Sequence, residues 1–523
     1  MRAGFRWDLP QHFNIAEQCC DSWARAAPDK TAIVHIDGDG ARKVWTYRQL
    51  KRASDGLAAS LKARGVGFGD RVAVLLAQCP EALITHMAAY KLGAVVLPLF
   101  TLFGPDALAY RLADSGARAV VTDAANLQKV LELRPDLPEL REVYCIDGAA
   151  ASVHGFWDEV EASPNFNPVA TLADDPACLI YTSGTTGEPK GVLHAHRFLI
   201  GHLPAMEAVH EGFPVAGDVG WTPADWAWIG GLMDMAMPCL YYGVPLISHR
   251  MRKFDPDAAW RLIAAEGVRN LFLPPTALKL MRQAAVPVDV DIRSVGTGGE
   301  ALGADLLDWA RGALRAPVNE LYGQTECNLV LASCAGSMAV RPGSMGQAVP
   351  GHEVVVLGAD GREAAVDEVG EIAVKRPDPV MFLRYWNKPE QTAERFSGDW
   401  MRTGDLGRRD ADGYFWYVSR DDDVISSAGY RIGPVEIENC LTGHPDVVMA
   451  AVVGVPDPVR GETVKAFVVL RDGAPWVGLA AALMARVRER LSPHLAPRYV
   501  VRVESLPMTA TGKIMRRDLR GGA

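Results

Sequence analysis

Residues 181–192 read YTSGTTGEPKGV, a stretch dense in glycine and hydroxyl side chains. An apolar run of strand length, residues 177–181, comes directly before it, and residues 193–200 predict a short helix or turn after it. Glycine permits backbone dihedrals that other residues avoid and lets backbone amides approach a ligand closely. The three glycines are Gly184, Gly187 and Gly191.

The side chains of this stretch add hydrogen-bond donors and one positive charge. They are Thr182, Ser183, Thr185, Thr186 and Lys190. Amides turned inward form an anion-binding nest, so the stretch predicts a polyphosphate site. It is not the common phosphate loop, because Pro189 precedes the lysine and Gly191 follows it. A glycine-rich surface loop without chemical importance is the alternative interpretation.

Size and charge narrow the class of protein. The 523 residues exceed what one hydrophobic core holds, so two or more domains are expected. Apolar residues make up 49% and charged residues 22%, which is ordinary for a globular protein. The net charge of -9 argues against a nucleic-acid binder with a broad basic face, although it is compatible with a local basic pocket for a nucleotide.

Cysteine use and the apolar runs predict the compartment. Nine scattered cysteines lack Cys-x-x-Cys spacing, and the adjacent Cys19 and Cys20 are poorly placed for a mutual bridge. Free thiols in a reducing compartment are therefore expected. Asp8 and Pro10 interrupt the N-terminus before a signal-peptide core, and the longest apolar runs are far shorter than a membrane span. The expectation is a cytoplasmic protein without integral membrane association.

Strand and helix patterns alternate through the first 340 residues. Strands are predicted at 71–77, 94–99, 117–122, 244–248, 268–273 and 292–295, and helices at 80–92, 105–114, 256–266 and 304–313. Such alternation predicts parallel βαβ units, with a ligand beyond the carboxyl ends of the strands. Two tandem blocks of this kind predict an α/β fold with two stacked or abutting sheets in one large domain.

The pattern changes after residue 340. Strands at 351–357, 369–375 and 413–418 are separated by turns and by no helix of length, which predicts an antiparallel β subdomain. A polar segment at 420–423 precedes about a hundred residues of compact α+β character. We therefore expect a large N-terminal domain over 1–420, a hinge over 421–423 and a small mobile C-terminal domain over 424–523.

Six short motifs follow the glycine-rich stretch in order. They are GGE at 298–300, YGQTE at 322–326, TGD at 403–405, SRDDD at 419–423, GYRIGP at 429–434 and PMTATGK at 507–513. Together they resemble the adenylate-forming enzymes, which include acyl-CoA synthetases, peptide-synthetase adenylation domains and firefly luciferase. The resemblance covers nearly the whole chain, and YGQTE, RPGSMG at 341–346 and SSAGYR at 426–431 make it closest to medium-chain and aryl acyl-CoA synthetases.

The resemblance implies an ATP-dependent acid:CoA ligase that works in two half-reactions. A carboxylate attacks the α-phosphorus of ATP to give an acyl-adenylate and pyrophosphate, and the thiol of coenzyme A then displaces AMP. Because an anion attacks a polyanion in the first step, cations and oriented donors must supply most of the catalysis. The implied ligands are ATP, Mg²⁺, coenzyme A and a small carboxylic acid.

The same resemblance assigns residues to the phosphates and the metal. Glu326 would bind Mg²⁺, a hard cation that prefers carboxylates and water, and Thr325 would contact the α-phosphate. A helix N-terminal glutamate is the alternative for Glu326. The β- and γ-phosphates would be held by Thr182, Ser183, Gly184, Thr185, Thr186, Gly187 and Lys190.

The nucleoside part of ATP is assigned to residues from five of the motifs. Asp405 would accept hydrogen bonds from the ribose hydroxyls, with Arg420 and Arg431 completing the nucleotide site. A plain turn residue is the alternative for Asp405, since Thr-Gly-Asp is good turn chemistry. Adenine would be framed by Gly299, Glu300 and Tyr322, the last by stacking.

Lys513 carries the most specific expectation, because it lies in the small domain, far along the chain from the phosphate loop. By resemblance it reaches the acyl carboxylate and the α-phosphate during adenylation, acting with Thr325, Glu326 and Lys190. A solvated basic tail is the alternative. Asp422 matches the family's hinge residue, and Gly429 would line the coenzyme A channel once the small domain has rotated.

The acid would bind in a pocket lined by Trp226 and Ile229. By resemblance, glycines at three positions set its depth where acetate-specific relatives carry larger residues: Gly230, Gly298 and Gly323. Because each buried CH₂ contributes about 0.8 kcal/mol, medium-chain, branched or aromatic acids are expected and acetate should be a poor substrate.

Two departures from the nearest pattern leave the acid itself open. Cys327 and Asn328 follow Glu326, and Met233 and Asp234 follow residue 232, so that Asp234 either binds a polar group of the substrate or faces solvent. The alternatives to a coenzyme A ligase are an enzyme that loads a carrier protein and a non-catalytic acyl-adenylate or nucleotide sensor. No carrier module is visible, which favours free coenzyme A. Homo-oligomerisation is left open.

Overall fold

The structure is a computed structural model of the 523-residue chain. It describes residues 4–162, 166–182, 188–287, 289–420, 423–427, 430–457, 460–509 and 513–520. Over these ranges the fold is mixed α/β, with a large N-terminal domain and a smaller C-terminal domain.

The strands are named in chain order. They are β1 (Thr31–Ile36), β2 (Arg42–Thr46), β3 (Arg71–Leu75), β4 (Val95–Pro98), β5 (Ala119–Thr122), β6 (Glu142–Cys145), β7 (His154–Gly155), β8 (Pro176–Thr182), β9 (Lys190–Ala195), β10 (Gly220–Trp221), β11 (Leu246–His249), β12 (Asn270–Phe272), β13 (Ser294–Gly298), β14 (Val318–Gln324), β15 (Cys327–Ala332), β16 (Gln347–Ala348), β17 (Val354–Leu357), β18 (Gly370–Lys375), β19 (Arg384–Tyr385), β20 (Phe396–Ser397), β21 (Trp400–Arg409), β22 (Phe415–Arg420), β23 (Ile425–Ser427), β24 (Tyr430–Ile432), β25 (Val447–Asp457), β26 (Gly461–Leu470) and β27 (Tyr499–Arg502).

The helices are named in the same way. They are α1 (Ser22–Ala26), α2 (Tyr47–Ala63), α3 (Pro80–Lys91), α4 (Pro105–Ser115), α5 (Ala124–Leu133), α6 (Phe156–Ala162), α7 (Phe198–Val209), α8 (Ile229–Gly231), α9 (Met237–Tyr242), α10 (Pro256–Glu266), α11 (Pro275–Met281), α12 (Ala304–Leu314), α13 (Pro389–Glu394), α14 (Pro434–Thr442), α15 (Leu479–Arg490) and α16 (Arg516–Arg520). Short π-helical turns at Glu17–Asp21 and Leu232–Ala236 and a 3₁₀ turn at Arg134–Asp136 complete the helical structure of the described residues.

Two large sheets form most of the N-terminal domain. One has nine strands in the order β16-β15-β14-β13-β12-β10-β11-β1-β2, and the other has eight in the order β19-β9-β8-β4-β3-β5-β6-β7. Their central strands are parallel, as the βαβ pattern predicts. The expected pair of sheets in one large domain is therefore confirmed.

The main apolar core lies between these two sheets. The eight-stranded sheet contributes Val74 and Ile180, and the nine-stranded sheet contributes Phe272 and Leu321. Helices α2, α3, α7 and α9 supply further apolar side chains to the same cluster. Because β12, β13 and β14 end at one edge of this core, their carboxyl ends border the space in which a ligand is expected.

Two smaller sheets complete the fold. Strands β17, β18, β21, β20 and β22 form the predicted antiparallel subdomain, and α13 is the one short helix within it among the described residues. The C-terminal domain contains the sheet β24-β23-β26-β25, to which β27 adds in parallel. Its core is separate from that of the large domain. The boundaries at 420 and 424 stay predictions, because residues 421 and 422 lie outside the described part.

Two sequence expectations were wrong in detail. Residues 193–200 do not form a helix or turn directly after the glycine-rich stretch, because β9 runs to Ala195 and pairs antiparallel with β8 before α7 begins at Phe198. The strand predicted at 292–295 begins instead at Ser294 and continues to Gly298, because parallel pairing with β12 and β14 extends it through two glycines.

Among the described residues, no helix combines the length and the apolar character that crossing a membrane requires.

Candidate active site

The glycine-rich loop joins two antiparallel strands. β8 ends at Thr182 and β9 begins at Lys190, and these two residues are opposite each other in the register. The Lys190 ammonium lies 5.1 Å from the centroid of the Tyr385 ring, on the neighbouring strand β19. This cation–π contact holds the lysine at the base of the loop. The remaining predicted loop residues lie outside the described part: Ser183, Gly184, Thr185, Thr186 and Gly187.

Glu326 lies in the turn between β14 and β15 and is nearly buried, with 8% of its surface exposed. Tyr385 Oη donates to Glu326 Oε1 over 2.5 Å, and Arg395 Nη2 lies 3.6 Å from the same oxygen. Within the described ranges, no residue donates to Oε2. A carboxylate with one oxygen anchored and the other open suits a hard cation such as Mg²⁺. Thr325 precedes it in the turn and is half-buried.

Asp405, on β21, belongs to a hydrogen-bonded group with two residues of β14. Its Oδ2 accepts from Tyr322 Oη at 2.8 Å and from Gln324 Nε2 at 2.5 Å. Arg420 Nε lies 3.9 Å from Oδ1. Burial raises the pKa of Asp405, and Arg420 opposes that rise. The residues assigned to adenine and ribose are thus directly linked, because the Tyr322 hydroxyl orients the Asp405 carboxylate.

The end of β13 provides an open stretch of backbone next to this group. Gly299 has φ +91°, and a Cβ there would meet no atom within 4 Å. Only glycine adopts such a dihedral without strain, and the open space lets a ligand approach the peptide. Glu300 accepts from Thr276 Oγ1 at 2.8 Å, and Lys279 Nζ lies 3.7 Å from it. These ties fix Glu300 at the edge of the cleft.

The structure brings Lys513 of the small domain to the same cleft. The backbone N–H of Thr509 donates to the Lys513 carbonyl oxygen at 2.7 Å. The residue as a whole is exposed to solvent, and partial desolvation of its ammonium lowers the pKa of Lys513. Among the carboxylates, Asp405 opposes this shift most, followed by Glu300 and Glu326. Lys513, near the C-terminal end of the chain, therefore interacts electrostatically with three predicted site residues.

Three further predicted residues cannot be located in this way. Asp422 and Gly429 lie outside the described residues. Arg431 belongs to β24, and its side chain lies outside the described part as well. The roles assigned to them stay predictions.

The three glycines assigned to pocket depth have different surroundings. A Cβ at Gly323 would lie 2.3 Å from the backbone nitrogen of Leu329, and one at Gly298 would lie 2.6 Å from the carbonyl oxygen of Leu321. Both glycines are thus required by close approach of neighbouring backbone. A Cβ at Gly230 would instead meet the Phe272 ring at 3.2 Å. Of the three, Gly230 alone is bordered by side chains and by no backbone atom among its nearest neighbours.

The segment assigned to the acid pocket packs on the main core. Trp226 is 4% exposed and Ile229 is 8% exposed, and both belong to the apolar cluster between the large sheets. Gly230 follows in α8 and is partly accessible. The next turn carries Asp234, which is buried with 2% of its surface exposed and does not face solvent. Of the two alternatives for Asp234, solvent exposure is therefore wrong.

Several residues of the site were not foreseen from the sequence. They are Tyr385, Gln324, Arg395 and His202. Gln324 lies inside the YGQTE motif and could have been proposed as a partner for a carboxylate. The other three contact the site from segments that carry no motif, so only the tertiary structure reveals them.

Comparison with protein families identifies the chain. The model of the AMP-binding enzyme family matches residues 20–386, and that of the AMP-binding enzyme C-terminal domain matches residues 436–513. The chain belongs to this family of adenylate-forming enzymes. Within it, the chain is an acyl-CoA synthetase, an AMP-forming acid–thiol ligase that uses ATP and coenzyme A.

Curated relatives match the chain over nearly its full length. It is 32% identical to the acetyl-coenzyme A synthetase of Pasteurella multocida, covering 99% of this chain and 85% of the relative. It is 32% identical to the human mitochondrial acyl-coenzyme A synthetase ACSM4, covering 98% of this chain and 91% of the relative.

Solved structures of CoA ligases share the fold over nearly the whole chain. The anthranilate CoA ligase AuaEII in complex with anthranoyl-AMP superposes with a TM-score of 0.91 at 27% identity, covering 99% of this chain and 98% of that one. A benzoate CoA ligase from Burkholderia xenovorans LB400 gives a TM-score of 0.85 at 30% identity, covering 97% of this chain and 100% of that one.

Proposed function

We propose that this acid:CoA ligase activates a medium-chain, branched or aromatic carboxylic acid as its adenylate, with Mg²⁺ bound to Glu326. The observation that carries the proposal is that the charge of Lys513 lies in one cleft with those of Asp405, Glu300 and Glu326. The acid carboxylate and ATP are both anions, so their reaction requires a nearby cation. Lys513 can supply that charge, beside the anchored Glu326 and the open backbone of Gly299.

In the adenylation step, a carboxylate oxygen of the acid attacks the α-phosphorus, and the bond from that phosphorus to the pyrophosphate oxygen breaks. Negative charge then builds on the α-phosphate oxygens and on the leaving pyrophosphate. Lys513 and Thr325 stabilise the first of these charges, and Lys190 stabilises the second. Mg²⁺, when bound at Glu326, neutralises phosphate charge. Asp405 and Tyr322 hold the nucleoside, so that the α-phosphorus faces the acid.

In the second half-reaction, the thiol of coenzyme A attacks the acyl carbonyl carbon and AMP leaves. This step does not need the charge of Lys513, because the carbonyl is already activated by the AMP leaving group. We propose that the small domain turns about Asp422, withdraws Lys513 and brings Gly429 to the thiol channel. The same cleft then serves two steps that need different residues around the reacting atoms.

The size of the acid is inferred from Gly230. A Cβ at this position would lie 3.2 Å from the Phe272 ring, so a larger residue would press on that ring and shorten the pocket. The relatives divide on this point, since two are named acetyl-coenzyme A synthetases and two of the solved structures are named for anthranilate and benzoate. The absence of a side chain at Gly230 supports the larger acids.

A panel of acids tests the proposal. Pyrophosphate release is measured with acetate, butyrate, hexanoate, octanoate, isobutyrate and benzoate, each with and without coenzyme A. We expect hexanoate or benzoate to exceed acetate by at least about 10-fold in kcat/KM, as two or more buried methylenes would give. Acetate as the best acid would contradict the proposed substrate class. Pyrophosphate release without any thioester in the presence of coenzyme A would contradict the ligase assignment.

A further inference from the structure

A buried polar cluster lies at the end of the segment that lines the proposed acid pocket. Asp234 lies in the π-helical turn Leu232–Ala236, a rare element that is frequent at functional sites. Its neighbours in that turn are apolar members of the main core. Asn328 and His202 complete the cluster and are 5% and 0% exposed. A carboxyl group in such surroundings is costly unless its hydrogen bonds are satisfied.

The donor and acceptor of each hydrogen bond in the cluster can be assigned by starting from His202. His202 Nδ1 lies 2.6 Å from the carbonyl oxygen of Phe198, which can only accept, so Nδ1 carries the proton. Burial lowers the pKa of His202 to about 3, so the ring is neutral and its Nε2 accepts. Asn328 Nδ2 lies 3.1 Å from that nitrogen and must donate to it.

The second hydrogen of the same amide goes to Asp234. Asn328 Nδ2 donates to Asp234 Oδ1, so both of its N–H groups are used. The opposite orientation of the amide would set its oxygen against His202 Nε2, which also accepts, and this excludes it. Two acceptors are then left over, Asp234 Oδ2 and Asn328 Oδ1. Within the described ranges, no residue donates to either. An acceptor in a buried cluster to which no protein group donates is open to a donor from a ligand.

The cluster is reached from the proposed pocket through Gly230. A Cβ at that glycine would lie 3.5 Å from Asp234 Oδ2, so the unused oxygen faces a position that has no side chain to cover it. Gly230 itself is partly accessible. On the other side, Asn328 follows Glu326 by two residues, which limits the separation of their Cα atoms to about 7 Å. The unused oxygen of Asp234 is therefore close to Gly230, and its partner Asn328 is two residues from the proposed metal ligand Glu326.

We propose that Asp234 and Asn328 form a subsite that accepts hydrogen bonds from a hydroxyl or amino group on the acyl part of the substrate. This inference rests on the proposed function and specifies its substrate class. A donor at Asp234 Oδ2 would satisfy the oxygen that the protein leaves unpaired. His202 acts as a positioning residue, since it fixes the orientation of the Asn328 amide.

The test compares matched acids. Benzoate and hexanoate are assayed unsubstituted and with a distal hydroxyl, amino or methoxy group, by pyrophosphate release. We expect the best hydroxyl- or amino-substituted acid to exceed its unsubstituted and methoxy counterparts by about 3- to 10-fold in kcat/KM, the range for one intramolecular hydrogen bond. Equal values across the substituents would overturn the proposal.

Asp234→Asn gives the sharper comparison. Its amide oxygen keeps the hydrogen bond from Asn328, and its nitrogen then takes the place of Oδ2, so the subsite offers a donor in place of an acceptor. We expect the amino-substituted acids to lose their higher kcat/KM relative to the unsubstituted acids. The methoxy-substituted acids should gain in kcat/KM, because their oxygen can accept from the new donor. Asp225→Asn is the matched control, because that carboxylate accepts from the Ala227 N–H at 2.8 Å and should keep the wild-type order. An unchanged order in Asp234→Asn would contradict the subsite.

Acid-induced shifts in thermal melting, measured with ATP present, rank binding of the same acids without turnover. Failure of every acid to release pyrophosphate would overturn the proposed function, whereas the binding order would still support or contradict the subsite. The melting temperature without ligand shows whether each variant is folded.

Discussion

At the scale of single residues, the carboxylates of the site are held by neutral hydrogen-bond donors. Tyr385 donates to Glu326, Tyr322 and Gln324 donate to Asp405, and Asn328 donates to Asp234. A neutral donor fixes the orientation of a carboxylate without cancelling its charge. The hydrogen bonds therefore set the direction in which each carboxyl group faces a ligand, which we propose to be a cation at Glu326 and a hydrogen-bond donor at the other two residues.

Tyr385→Phe tests this arrangement at the proposed metal ligand. Burial raises the pKa of Tyr385, so its hydroxyl stays protonated and donates to Glu326 Oε1. Loss of that donor should weaken Mg²⁺ activation of pyrophosphate release by about 10- to 100-fold, the usual effect of removing a residue that orients a metal ligand. The measurement is the Mg²⁺ concentration that gives half-maximal activity.

Tyr144→Phe is the control for this variant. Tyr144 is also buried, and its hydroxyl lies 3.2 Å from Ser60 Oγ, away from the site. Its Mg²⁺ dependence should match the wild type. The same Mg²⁺ dependence in both variants would mean that Tyr385 does not position the metal ligand.

The sequence predicts the charged half of this site better than the neutral half. Glu326, Asp405 and Lys513 stand in motifs whose order along the chain is distinctive. Tyr385 and Asn328 stand in no motif, and a lone tyrosine or asparagine has many uses in a fold. Their partners become visible only when β19 lies beside β9 and β15 folds back on β14.

At the scale of elements, glycine has two different functions beside the proposed pocket. In the hairpin of β14 and β15, Gly323 has the backbone of Leu329 2.3 Å from its Cβ position. In α8, Gly230 is bordered by the side chains of Phe272 and Asp234, which can adjust. The first glycine is required by the fold, and the second is the one to which we assign the depth of the proposed pocket.

Alanine at these two positions separates the functions. Gly323→Ala should lower the free energy of unfolding by about 1–3 kcal/mol and reduce activity with every acid, because a backbone contact cannot relax locally. Gly230→Ala should leave stability nearly unchanged and disfavour the longest acids, by about fourfold for each methylene that no longer fits. Urea unfolding of the full chain and the acid panel measure the two effects. A size-selective effect of Gly323→Ala with unchanged stability would reverse the assignment.

The hairpin that carries the glycine-rich loop marks the limit of sequence analysis at this scale. The apolar run of β8 was predicted, whereas β9 was taken for the start of a helix or turn. Local pattern does not distinguish these outcomes over so few residues. β9 forms a strand because it pairs with β8 on one side and with β19 on the other. β19 is almost two hundred residues away in the sequence, so this pairing is not visible in the local pattern.

At the scale of the whole molecule, the contact between the two domains is incompletely packed. One cavity of about 260 Å³ is bordered by Lys279 and Asp305 of the large domain and by His444 of the small domain. A second, of about 320 Å³, lies between Trp416 and Glu436. Interfaces of this kind are typical of domains that change their relative position. Alternation of the small domain between two half-reactions is therefore compatible with the packing.

The variant Lys513→Ala tests the central claim, that a lysine of the small domain serves adenylation alone. Pyrophosphate release from acid and ATP should fall at least about 100-fold, since a preorganised charge at the α-phosphate is lost. Conversion of a supplied acyl-adenylate and coenzyme A to the thioester should be largely retained. Arg517→Ala, which removes an exposed neighbouring charge, should leave both half-reactions within about twofold of wild type.

The most direct measurement is the ratio of the two half-reaction rates in Lys513→Ala, determined on the same preparation. The predicted result is a collapse of adenylation with thioester formation preserved. An equal loss of both rates would contradict the account, because Lys513 would then serve both steps from one position of the small domain.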